Sequence, residues 1–134
     1  MHRSSSRTLV SMAALVCLAA GCTPNPGTGP ARPALINHPV FFQLVDASEA
    51  AELIADCDTW IAEIPGVASY YCGRPFDSER ESVDTDYDVG LYVGFASAED
   101  YMAYVEHPVH VRLVEKWRPR LRGILVRDVI DETP

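Results

Sequence analysis

Residues 87–95 read Tyr-Asp-Val-Gly-Leu-Tyr-Val-Gly-Phe. Val89, Leu91, Val93 and Phe95 fall on one face of an extended chain and Gly90, Tyr92 and Gly94 on the other, the period of a strand, with glycines that leave room for a close neighbour. C-terminal to it, Ser97 with Asp100 three residues on is a helix-capping pair. It predicts a helix through Glu106, interrupted at Pro108, resumed from Val109 to Trp117 and stopped by Pro119. The apolar run Arg122 to Ile130 is then a further strand. N-terminal to the opening stretch, Pro75 to Asp86 is charged and polar and reads as a surface loop. Before it come a strand over Ala68 to Arg74 and the turn Ile64-Pro65-Gly66-Val67.

The turn ends a predicted helix that Asp46 or Ser48 caps and that runs to about Glu63. Ala50, Leu53, Ile54, Cys57, Ile61 and Ile64 share its apolar stripe. The first strand, Leu35 to Val45, carries Ile36, His38, Val40, Phe42 and Leu44 on one face and Phe41 and Val45 on the other, so both faces are expected to be covered. Pro39 predicts an edge or irregular position for it. The order strand, helix, strand, strand, helix, strand defines an α+β class of the ferredoxin-like, split βαβ kind with a four-stranded antiparallel sheet. A core of about a hundred residues closes unaided and often gains from self-association.

The N-terminus has a different grammar. Arg3 and Arg7 precede an apolar run from Leu9 to Ala20, too short to span a bilayer, which is the pattern of an exported leader over residues 1–21. Leu18-Ala19-Ala20-Gly21-Cys22 resembles a lipobox, although Ala19 stands where leucine is usual. The expectation is lipidation of Cys22, a tether over 22–34 with four prolines, and a domain over 35–131. The implied location is the cell envelope, on the periplasmic side of the outer membrane if the host is Gram-negative. Removing the two leader arginines takes the formal charge from −8 to −10, which argues against nucleic acid as a partner.

Ile36-Asn37-His38 with Phe41-Phe42, the Ile64-Pro65-Gly66-Val67 turn, Tyr87-Asp88 through Phe95, and above all Tyr104-Val105-Glu106-His107-Pro108-Val109-His110 resemble a stress-responsive A/B barrel domain. The resemblance covers the folded part and implies a homodimer in which two sheets close into an α/β barrel. It also implies candidate catalytic residues. Plant polyketide cyclases of that family place catalytic groups at positions matching His38, Tyr104 and His110, while a further active-site histidine of theirs falls near Val89 here. A histidine near neutrality and a tyrosine can serve as base and hydrogen-bond donor. The alternative is structural: histidines that shape the barrel and a tyrosine packed half-exposed on its helix.

Cys57 and Cys72 remain once Cys17 leaves and Cys22 is lipidated. A disulfide across their fifteen-residue separation would contribute roughly 3 kcal/mol; two reduced buried thiols are the other reading. His107 and His110 offer a metal at most two ligands, so no metal is expected, and no motif implies a cofactor. Three functions follow: a dimer whose barrel binds a small hydrophobic or aromatic molecule or which supports a partner protein, with Gly90, Tyr92 and Gly94 beside the barrel cavity; an enzyme moving a proton on an enolisable carbonyl compound; or a purely structural interaction protein.

Overall fold

The structure, a computed structural model, describes residues 32–132. The leader, Cys22 and most of the tether lie outside the described residues. Strands β1 (Ile36–Leu44), β2 (Val67–Gly73), β3 (Val89–Phe95), β4 (Leu121–Val126) and β5 (Val129–Ile130) form one sheet, covered on one face by helices α1 (Ala50–Trp60), α2 (Ala98–Glu106) and α3 (Pro108–Trp117). The strand order is β2-β3-β1-β4, with β5 also on β1, and every pairing is antiparallel. Among the described residues no helix is long and apolar enough to cross a membrane.

The chain forms these elements for local reasons. Asp46 accepts from the Ser48 N–H and starts a short 3-10 turn, Ala47–Glu49, that leads into α1. The helix stops at Trp60 rather than Glu63, because Ile61 to Ile64 tighten into turns and Gly66 adopts φ +90°. A side chain there would be strained and would press on Asp100. Ser97 Oγ accepts from the Asp100 N–H at 3.1 Å, as its spacing predicts. The break at Pro108 is complete: His107 is extended, its ring accepts from the Val109 N–H, and Pro108 opens α3, where a missing N–H costs nothing.

Two expectations are corrected. Of the two placements expected for Pro39, the edge is overturned, since β1 is an interior strand, and the early, irregular one holds. The expected fourth strand is two short ones, giving a five-stranded sheet, because β4 ends at Val126 and pairing resumes only at Val129. The corrections share a cause. Pro39 has no N–H to offer on that side, so it accepts from the Arg127 N–H while the neighbouring strand bows out at Arg127-Asp128.

The core lies between the helices and the inner sheet face. Val40, Phe42 and Leu44 from β1, Val89, Leu91, Val93 and Phe95 from β3, and Leu53, Cys57 and Ile61 meet Tyr104, Leu113 and Trp117. The outer face carries Phe41, Tyr71, Tyr92, Leu125 and Val129, of which Tyr71 is 63% exposed. Gly94 on that face is filled by neighbours: the Ser69 hydroxyl and Ala34 occupy the space a Cβ would need.

Candidate functional site

An elongated cavity of about 660 Å³ opens between the helices and the inner sheet face. One wall is β1 with β4, the other α3, and both run lengthwise along it. His38, Val40 and Phe42 succeed one another on the strand, an advance of about 13 Å. His110, Leu113, Val114 and Trp117 do so on the helix, a rise of about 10 Å. One end is therefore polar, with His38, Tyr101, Tyr104 and His110, the middle is aliphatic and aromatic, and Arg118 and Arg122 are also among the walls. Gly90, Tyr92 and Gly94 are not among its walls; they face the outer side of the sheet, where a second copy would close the expected barrel.

The three predicted residues come together. The Tyr104 ring lies 4.5 Å from that of His110 and 6.0 Å from that of His38, measured between centroids. Tyr104 is 1% exposed, not half-exposed. Its hydroxyl has no hydrogen-bond partner among the described residues and is left available to the cavity that its side chain lines. Burial first, then the nearby Cys57 and Tyr101, push its hydroxyl above the ordinary phenol range, so it stays protonated.

The histidines are oriented by their outer nitrogens. His110 Nδ1 lies 3.0 Å from the Val105 carbonyl, which can only accept, so Nδ1 carries the proton. Burial lowers the His110 pKa from 6.5, against the opposing pull of that carbonyl, and the other histidines lower it further. The ring is neutral at pH 7, and Nε2 carries the lone pair. His38, 7% exposed, meets Asp128 Oδ1 through Nδ1 at 2.6 Å, and the Tyr101 hydroxyl donates to Asp128 Oδ2 at 2.9 Å.

Asp128 and Tyr101 were not singled out by sequence. The available signal was a charged Arg-Asp pair inside the apolar run of residues 122–130, which marks the bowed strand. Val89 is wholly buried in the core and is not a cavity wall. Among the described residues no three His, Cys, Asp or Glu side chains are grouped to hold a metal ion.

The depressed His110 value has a stability consequence. The unfolded chain takes up a proton near pH 6.5 while the folded site resists it, so stability is full above that pH and falls as pH drops through 6.5 toward the folded value. His110→Gln is expected to flatten that part of the profile in urea unfolding between pH 7.5 and pH 5, about. An unchanged slope would contradict the assignment.

A split βαβ sheet with a helix-side cavity and a His/Tyr end defines a ferredoxin-like α+β domain with a built internal site. Residues 36–131 match the model of the Stress responsive A/B Barrel Domain, and the chain belongs to that family. It is similar to a Mesorhizobium loti protein of the family with a ferredoxin-like fold, at 28% identity and TM-score 0.62 over 73% of this chain and 97% of that one. A dimeric ferredoxin-like protein of unknown function from Jannaschia sp. is 27% identical, TM-score 0.60, covering 72% and 98%. The hydroxynitrile lyase of Passiflora edulis, 19% identical with TM-score 0.63 over 77% and 99%, shares the fold. No protein of curated function matches the chain.

Proposed function

We propose that this chain is an envelope-anchored module, held by lipid on Cys22, whose domain pairs with a second copy and binds a small, mostly apolar molecule in the helix-side cavity. The cavity carries the reading: its volume is that of a small-molecule site, its middle is apolar, and its polar end includes Tyr104 as a donor and His110 Nε2 as an acceptor. Pairing is supported by the apolar outer sheet face and by relatives described as dimeric. The leader pattern supports anchoring.

Leu113→Trp, which fills the middle of the cavity, is expected to abolish binding of 1-naphthol, an apolar probe with one hydroxyl, in calorimetric titration. Binding unchanged in that variant places the probe elsewhere and removes the reading.

The unpartnered Tyr104 hydroxyl beside a neutral His110 favours a second reading, proton transfer on an enolisable carbonyl compound. His110 Nε2 would take the α-proton and Tyr104 would hydrogen-bond the developing enolate oxygen.

A further inference from the structure

We propose that Cys57 and Cys72 are a redox-active dithiol pair, in which Cys72 meets the oxidant and Cys57 closes the disulfide. The pair lies apart from the cavity walls, and the inference stands whether or not the cavity binds a ligand.

The fold brings the two together. Along β2, Tyr70 and Cys72 face the helices while Tyr71 faces outward, since Cys72 pairs in register with Leu91 and Tyr71 with Tyr92. The Tyr70 hydroxyl donates to Asp58 Oδ1 at 2.7 Å, which fastens β2 to α1 one residue from Cys57. Both cysteines are free thiols, and Cys72 packs against the core cluster to which Cys57 belongs. They are not equivalent. Cys57 is 0% exposed, whereas Cys72 is half-buried and within reach of solvent.

Their chemistry is divided in the same direction. The neighbouring Cys72 and burial push the Cys57 thiol up, while the neighbouring Cys57 lowers that of Cys72. The thiolate is the nucleophile in thiol–disulfide exchange, so the reachable sulfur is also the activated one.

The oxidant is a small-molecule disulfide. The Cys72 thiolate attacks one of its sulfurs, that S–S bond breaks, and one thiolate leaves. Cys57 then gives up its proton to a leaving thiolate and attacks Cys72 Sγ, and the second half of the reagent departs. The pair loses two electrons and its two protons, and the reagent becomes two thiols. The product ties α1 covalently to β2. An exported location, expected from the leader, is one where such a bond persists.

The test is to equilibrate the purified full chain with oxidised glutathione, alkylate remaining thiols under denaturing conditions, and map peptides by mass spectrometry. The expected result is a peptide joining Cys57 to Cys72, with alkylation of both lost together. In Cys57→Ser, glutathione is expected to accumulate on Cys72; in folded Cys72→Ser, Cys57 is expected to stay unmodified. Both thiols alkylated after oxidation, a bridge from either to another cysteine, or an adduct on Cys57 in folded Cys72→Ser would overturn the proposal. Should either variant fail to fold, the wild-type peptide map decides alone.

Discussion

Trp117→Ala is expected to lower the unfolding free energy by about 3–5 kcal/mol, read from urea denaturation. Trp117 is 1% exposed and closes the base of α3 against the core. Its Nε1 donates to Asp56 Oδ2 at 2.8 Å, so truncation loses the ring's packing and leaves that carboxylate short of one donor. The ring also carries cations on its face, Arg120 at 5.0 Å and Lys116 at 5.3 Å. Total stability of a small domain is about 5–15 kcal/mol, so a loss of this size leaves it marginal. Trp60 is the internal control. It is half-buried, with Arg112 at 4.4 Å over its ring, and Trp60→Ala is expected to cost distinctly less. Equal losses at the two tryptophans would contradict the placement of the core.

Tyr71→Asp is expected to weaken self-association by at least 2 kcal/mol, about thirtyfold, while leaving the folded monomer nearly unaltered. Tyr71 stacks on Tyr92 at 4.9 Å and 8° on the outer face, which Phe41, Leu125 and Val129 share on strands further across the sheet. Because Tyr71 is 63% exposed in one chain, its loss removes little internal packing, whereas a carboxylate there would be buried unpaired between two sheets. Sedimentation velocity reads the association and urea denaturation the folding. A variant that associates as tightly as the wild type would remove the outer face from the interface.

Much of this fold is legible in sequence because its elements have clean periods. The alternation at 89–95 and the apolar stripe through Leu53 and Cys57 each allow one amphipathic solution, and the capping pair at Ser97 fixes where α2 starts. The break in the fourth strand was not legible, because its cause lies in another strand: Pro39 withholds a donor ninety residues away, about. The same distance in sequence hid half of the site. His38, Tyr104 and His110 were visible through a family resemblance, but Asp128 gains meaning only when the bowed strand sets its carboxylate 2.6 Å from His38. Glycines at 90 and 94 signal close approach, and within one chain what approaches them is Tyr87 and Ser69.

Native mass spectrometry of the full chain, purified gently from its natural source, tests the central claim most directly. The expected result is a dimer with a small molecule retained in each chain, released on unfolding and absent from Leu113→Trp. A bare monomer, with nothing retained and no uptake of 1-naphthol, would contradict it.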